Sequence, residues 1–183
     1  MREILDDTMV SWKRERPDLH LDVMGTTLRV NQLMNAALRA ADALFAPHGI
    51  TVGEFDVLAA LRRGGRGTVL TPTALARVAM ISPAGMTNRL NRLEAAGLIV
   101  RRPDPDDRRG SLVELTAAGY TTADRAIEDL VAAENELFAE LSATERQRLD
   151  RILDKLIDRV DRAPTGADLP PAAATTQRVR SKR

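Results

Sequence analysis

The spacing of apolar residues changes twice between Ser82 and Thr116, from a helical repeat to an alternating pattern and back. The first part has one apolar helical face, made of Met86, Leu90 and Leu93. Ser82 and Pro83 are typical of a helix start, because a serine hydroxyl caps the first turn and proline needs no amide partner there. Gly97 is typical of a helix end. The pattern therefore predicts a helix between these two signals.

The opposite face of this predicted helix has short side chains and arginine where a solvated face would carry lysine and glutamate. Its members are Ala84, Asn88, Asn91 and Arg92. Amide and guanidinium groups hydrogen-bond well to base edges in the major groove, and Ser82 at the helix start suits a phosphate. Thr87 is placed for the same contacts, although packing at the edge of the apolar face is a nearly equal alternative.

Two short apolar segments follow and predict a hairpin. They are Leu98–Val100 and Leu112–Leu115, with Arg108 and Arg109 between them. A helix followed by a hairpin with a basic tip is typical of a winged helix, whose helix enters the major groove. Arginines at the tip suit a narrow minor groove, where negative potential is concentrated. Asp107 would repel DNA if it stood alone, so we expect it to pair with a nearby arginine.

The rest of the chain has a helical pattern with few interruptions. We expect helices over Arg2–Arg16, from Leu19 or Leu21 to Ala46, over Thr51–Arg63, Thr71–Ala79, Thr116–Leu141 and Ser142–Asp161, and a minimal strand at Val69–Leu70. Glu54 and Glu145 each follow a capping hydroxyl by three residues, which predicts a capping box at two of these helix starts.

The long helices carry more apolar surface than a winged helix can cover. The last helix is strongly periodic, with Leu149, Ile152, Leu153, Leu156, Ile157 and Val160. A second copy of the chain is the simplest cover for such faces. The sequence therefore predicts a mostly α fold, a winged helix-turn-helix with long N- and C-terminal dimerisation helices. The alternative is packing within one larger helical domain.

Charge is distributed unevenly, although the formal net charge is only +1. Between Arg62 and Arg102 the single acid is Glu94. The eight arginines of this block are Arg62, Arg63, Arg66, Arg77, Arg89, Arg92, Arg101 and Arg102. A basic block of this kind is typical of a nucleic-acid surface, and the alternative is a solvated arginine-rich face.

Composition excludes several other classes of protein. The 183 residues suit one domain of ordinary size, and the absence of cysteine excludes disulfides and thiolate metal sites. No apolar run reaches the roughly 18–20 residues of a membrane span, and the N-terminus lacks the apolar core of a signal peptide. We therefore expect a soluble cytoplasmic protein with no membrane partner, no metal and no cofactor.

Taken together, these motifs resemble the MarR family of bacterial transcription regulators. The matching segments are Leu70–Ala76, Met86–Leu90, Leu93-Glu94, Gly97–Ile99, Arg101-Arg102, Asp107–Arg109 and Leu115-Thr116. The resemblance covers most of the chain and implies the following organisation. A MarR-type domain spans residues 18–163, with the winged helix at about 51–116 and dimerisation helices over 19–47 and 116–162. An extra N-terminal helix occupies 1–17, and residues 164–183 form a disordered basic tail.

The resemblance also implies which residues contact double-stranded DNA. They are Ser82, Ala84, Thr87, Asn88, Asn91, Arg92, Arg108 and Arg109. The function it implies is a homodimeric repressor that recognises a pseudo-palindromic operator and is released by a small anionic or aromatic ligand. Two alternatives remain at this stage: a ligand-independent DNA-binding protein, and a helical dimerisation scaffold that binds no DNA.

A second set of residues resembles the urate-responsive branch of this family. Trp12 is the only tryptophan, Asp56 lies in an apolar helical run, Arg89 flanks the reading helix and Arg101 begins the hairpin. A buried carboxylate is costly unless it is paired, Trp12 would stack on a flat ring, and Arg89 would couple an anion such as urate to DNA binding. The alternative is structural, with Trp12 as a core anchor and Asp56 paired to an arginine.

Catalysis finds no support in the sequence. The two histidines, His20 and His48, lie at helix ends, and a capping role for His48 is commoner than a catalytic one. No nucleophile elbow, zinc-protease motif or carboxylate pair with a base is present. We therefore expect a binding protein and no enzyme.

Overall fold

The structure is a computed structural model that describes residues 2–79, 82–105, 107 and 110–162. Seven α-helices and three strands lie in these ranges. The helices are α1 (Arg2–Glu15), α2 (Met24–Phe45), α3 (Val52–Arg63), α4 (Pro72–Val78), α5 (Pro83–Ala95), α6 (Ala117–Leu137) and α7 (Ala143–Asp161), and a 3-10 turn covers Ala46–His48. The strands are β1 (Val69–Leu70), β2 (Ile99–Pro103) and β3 (Ser111–Leu115).

The three strands form one small antiparallel sheet with β3 in the middle. Val69 of β1 pairs with Glu114, and Ile99 of β2 pairs with Leu115. Helices α4 and α5 precede the β2–β3 hairpin, which is the order of a helix-turn-helix followed by a wing. The predicted winged helix is therefore confirmed, and the fold is mostly helical.

Side-chain caps begin the helices where the sequence predicts them. The Thr51 and Ser142 hydroxyls cap α3 and α7 in complete capping boxes with Glu54 and Glu145. The Ser82 hydroxyl accepts a hydrogen bond from the Gly85 amide at the start of α5. Each cap satisfies an amide that the first turn cannot pair internally, so these three predicted helix starts are confirmed.

The core lies around α3 and α5. Their fully buried side chains include Val57, Leu58, Leu61, Met86, Leu90 and Leu93. The Phe45 and Phe55 rings stack at 4.4 Å between centroids and join α2 to α3. Because Met86, Leu90 and Leu93 are all buried, α5 must present its opposite face to solvent.

Several element boundaries differ from the sequence-based expectation. Helix α2 begins at Met24, and Leu21 is buried in the turn before it. Helix α6 ends at Leu137 instead of Leu141, and the next residues form turns. The hairpin strands extend to Pro103 and begin at Ser111, because the backbone pairing continues beyond the apolar residues.

The chain divides into two compact units. The first ends at Glu134 and contains the winged helix, and the second begins at Asn135 and includes α7. No residue of α7 is buried, and its exposed apolar side chains are Ile152, Leu153, Leu156, Ile157 and Val160. In the first unit α2 also has exposed apolar side chains, namely Val30, Leu33, Met34 and Leu38. Both units therefore carry apolar surface that the described chain does not cover.

Within the described ranges, no single helix is long and apolar enough to cross a membrane. Two consecutive helical segments reach that length and apolar composition only when they are taken together, and they are bent by 72° relative to each other. They are Met24–His48 and Val52–Arg63.

The start of α6 packs directly on the wing, and this contact predicts a stability effect. A Cβ at Gly119 would lie 1.9 Å from the Leu98 carbonyl oxygen, which the Thr116 amide already binds. Gly119→Ala should therefore lower the free energy of unfolding by about 1–3 kcal/mol, the usual cost of overpacking, as measured by urea unfolding.

A matched control is Gly25→Ala in α2. There the nearest atoms belong to the flexible side chains of Arg29 and Met9, at 3.0 Å or more. Alanine should be tolerated at this position, because the end of the Arg29 side chain can move by a few tenths of an ångström and alanine has the higher helix propensity. An equal loss of stability in both variants would contradict the proposed contact between α6 and the wing.

Candidate nucleic-acid interface

The exposed face of α5 has the polar composition that the sequence predicts. Its exposed residues are Ala84, Thr87, Asn88, Asn91, Arg92 and Ala95. Thr87 is exposed, which favours the contact role over packing at the edge of the apolar face, and that role stays a prediction. Ser82 is exposed at the N-terminal end, where helix amides and the helix dipole favour a phosphate.

Arg92 is drawn toward the N-terminal end of α3. Its Nη1 lies 3.9 Å from the Glu54 carboxylate, and its side chain remains 73% exposed. Glu54 is only 5% exposed, and its other oxygen accepts hydrogen bonds from the Thr51 amide and hydroxyl. An ion pair with this long separation, whose arginine is mostly in water, contributes little stability. Arg92 is therefore restrained weakly and can still extend to a phosphate or a base.

Arg101 lies on β2 and binds two residues of α5. Its Nε donates to Glu94 Oε2 at 2.9 Å, and its Nη2 donates to the same oxygen and to Asn91 Oδ1, the latter at 2.8 Å. The hydrogen bond from Arg101 lowers the pKa of Glu94, and the same bond raises the pKa of Arg101. One guanidinium therefore fastens one turn of α5 to β2.

Arg89 lies on the other side of α5, against the backbone of α3. A Cβ at Gly53 would lie 2.4 Å from the Arg89 guanidinium, so only glycine leaves room for it. Arg89 Nη1 is buried without a hydrogen-bond partner in the described chain. Burial raises the pKa of Asp56, and the nearby charge of Arg89 partly opposes this rise. Asp56 and Arg89 therefore interact through space without forming a close ion pair.

The structure brings together only part of the predicted ligand set. Asp56 and Arg89 are neighbours, whereas among the described contacts no hydrogen bond or ion pair joins Trp12 or Arg101 to either of them. Trp12 is 44% exposed on α1, so Trp12 as a core anchor is wrong for the single chain. Gly53 escaped the sequence analysis, although a glycine inside a helical pattern often marks a close approach.

The wing tip is only partly described. Arg108 and Arg109, predicted to contact DNA, lie outside the described residues, as does the predicted tail over residues 164–183. Asp107 is described, and its carbonyl accepts a hydrogen bond from the Gly110 amide at 2.8 Å, which closes the turn. Its predicted pairing with an arginine stays a prediction.

The two histidines lie in different surroundings. His20 is exposed, and His48 Nε2 lies 2.7 Å from Asp129 of α6, which ties the turn after α2 to that helix. In the described part of the chain, no three residues among His, Asp and Glu are grouped as metal ligands.

Comparison with known proteins agrees with this geometry. The MarR family model matches residues 48–110, which cover α3 to the hairpin turn. The transcriptional regulator PecS from Dickeya dadantii is 34% identical over 155 residues, which are 83% of this chain and 92% of PecS. The chain belongs to the MarR family of transcription regulators.

Two solved structures of DNA-binding proteins share the fold. A variant of MarR from Escherichia coli in complex with operator DNA has a TM-score of 0.61 and 28% identity, over 74% of this chain and 98% of that one. The structure of BpsR from Bordetella bronchiseptica concerns regulation of its DNA binding by 6-hydroxynicotinic acid. It has a TM-score of 0.58 and 27% identity, and the match covers 71% of this chain and 99% of BpsR. Membership of this family confirms that the chain is a DNA-binding regulator. It excludes an enzyme and a dimerisation scaffold that binds no DNA.

Proposed function

We propose that this MarR-family regulator is a cytoplasmic homodimeric repressor that a small flat anion releases from a pseudo-palindromic operator. The observation that carries the proposal is the position of α5. Its outer face is polar and exposed, and its inner flank holds Arg89, whose buried Nη1 has no partner in the described chain. A ligand that engages Arg89 would act directly on the helix that reads DNA.

The DNA surface in this proposal is the outer face of α5 together with the wing. Asn88 and Asn91 contact bases, while Ser82, Thr87 and Arg92 contact phosphates or flanking bases. Ala84 allows the backbone to approach the groove closely. Arg108 and Arg109 enter the adjacent minor groove, as proposed from the sequence. The operator complex of the similar E. coli MarR supports this docking mode.

The homodimer in this proposal is supported by the uncovered apolar faces of α2 and α7. Val30, Leu33 and Met34 of α2 and Leu153 and Leu156 of α7 are all exposed in the single chain. An exposed apolar face on a helix, such as each of these two helices carries, is typical of a protein interface. Two-fold symmetry would then place two α5 helices against two half-sites of one operator.

The ligand in this proposal is a flat organic anion, and urate is the first candidate. A buried guanidinium nitrogen without a partner favours an added acceptor, because an unsatisfied buried donor costs about 1–3 kcal/mol. Asp56 would orient Arg89 or accept from a ring N–H, and Trp12 is exposed enough to stack on a ring. Recruitment of Arg101 would first require its release from Glu94 and Asn91. The regulation of BpsR by 6-hydroxynicotinic acid supports this chemical class.

Replacement of Asn88 tests the DNA surface. Asn88→Ala should weaken specific binding by about 1–3 kcal/mol if its amide reads a base, measured by gel shift on the promoter of its own operon. Gln147→Ala, which removes an exposed amide from α7, is the control and should bind normally. Normal affinity in both variants would contradict the role of Asn88.

Charge placed on α7 tests the dimer. Leu156→Asp should dissociate it, because an unpaired carboxylate buried at an interface costs about 3–5 kcal/mol, and sedimentation would then report a monomer. Gln147→Asp adds the same charge on the opposite side of α7 and should leave the dimer intact. A soluble Leu156→Asp dimer would show that the contact lies elsewhere.

Titration with urate tests the ligand. Urate should release the protein from its operator and quench Trp12 fluorescence, while citrate, which is not planar, should do neither. Arg89→Met and Trp12→Phe should each weaken release by urate. Because the two binding events are coupled, the affinity of the protein for urate should be lower in the DNA complex than in the free protein. The factor should equal the one by which urate lowers the affinity for the operator. Absence of both release and quenching would favour a ligand-independent regulator or a different ligand.

A further inference from the structure

The amide of Asn91 is oriented from within the protein. Arg101 Nη2 donates a hydrogen bond of 2.8 Å to Asn91 Oδ1. A guanidinium carries only donors, so the amide atom that faces it must be the oxygen. The NH2 group therefore points away from the guanidinium, and within the described residues it forms no hydrogen bond of its own. Asn91 is exposed in the middle of the polar face of α5.

The arginine that sets this orientation is itself held firmly. Glu94, one turn after Asn91, accepts from both Nε and Nη2 of Arg101. The side chains of Arg101 and Glu94 are 29% and 39% exposed, so the ion pair is partly shielded from water. A charge-assisted, two-pronged contact of this kind is stronger and more directional than a bond between neutral groups. Arg101 is therefore a fixed support for the amide.

We propose that Arg101 is a positioning residue that presents the Asn91 amide to DNA as a hydrogen-bond donor, so that Asn91 selects guanine. The inference rests on the proposed function, in which α5 enters the major groove. Guanine presents two adjacent acceptors there, N7 and O6, whereas adenine adds an N6 donor beside its N7 and thymine has only one acceptor, O4, beside its methyl group. The usual bidentate contact of asparagine with adenine needs the amide oxygen to face the base, and here that oxygen faces Arg101.

The test compares base preferences rather than affinity alone. Binding-site selection on the full-length protein should reveal one G·C pair in each half-site whose preference disappears in Asn91→Ala. Arg101→Met should lower the same preference by about tenfold or more, the range of one good base contact, and leave the preferences at other base pairs unchanged. This readout separates positioning from a structural role, which would weaken all sequences alike.

Arg102→Met is the matched control. Arg102 is the next residue of β2 and forms an ion pair across the hairpin with Glu114, so its loss also removes one positive charge and one ion pair. It has no hydrogen bond to α5 in the described chain. Arg102→Met should weaken binding uniformly, if at all, and keep the guanine preference. The same loss of preference in both variants would overturn the inference.

A modified base gives a test that needs no arginine variant, should Arg101→Met fail to fold. Replacing that guanine with 7-deazaguanine removes the N7 acceptor and should weaken binding of the wild-type protein, with no effect on Asn91→Ala. An A·T pair at the Asn91-dependent position, or indifference of the wild-type protein to 7-deazaguanine, would overturn the inference. A wild-type protein without any sequence preference would instead overturn the proposed function itself.

Discussion

The packing of one apolar stripe of α5 into the core is the constraint on which the DNA-binding surface depends. Met86, Leu90 and Leu93 are almost completely buried, so α5 cannot rotate without exposing them. Burial of each such side chain contributes about 1.5–3 kcal/mol, which is large beside the few tenths that an exposed ion pair supplies. The core therefore fixes which face of α5 is presented, and the surrounding arginines adjust only the side chains on that face.

Three arginines lie along the flanks of α5, two of them on the helix itself and Arg101 on β2, and they differ in how fully their charge is paired. Arg101 has a close carboxylate and an amide oxygen as acceptors, Arg92 has a distant carboxylate, and Arg89 is buried with one nitrogen unpaired in the described chain. Arg89 also lies beside Gly53 in the first turn of α3, where the helix dipole disfavours a cation. The least satisfied arginine is therefore the one where an added anion gains most, whereas an anion at Arg101 must first replace Glu94.

Much of the fold follows from local signals in the sequence. Thr51 and Ser82 cap helices where they were predicted to, since a hydroxyl followed by helix formers satisfies the first amides. The sequence placed the start of α2 too early, at Leu19 or Leu21. An apolar residue indicates burial, and Leu21 is buried in the turn before the helix instead of in the helix itself. Helix α6 ends at Leu137 with no glycine or proline nearby, so no local signal in the sequence predicted this helix end.

The contacts around α5 were harder to predict because they join residues from different elements. One hint was present: Glu94 is the single acid in a block of eight arginines, and an isolated acid in such a block is a natural partner for one of them. The sequence could not show that Arg101 is that partner or that it also contacts Asn91. Arg101, which the sequence assigned to a ligand, therefore lies between the wing and α5 in the structure. A ligand that moved Arg101 would then alter base recognition through Asn91, whereas one confined to Arg89 would act between α5 and α3 and leave the hydrogen bond from Arg101 to Asn91 intact.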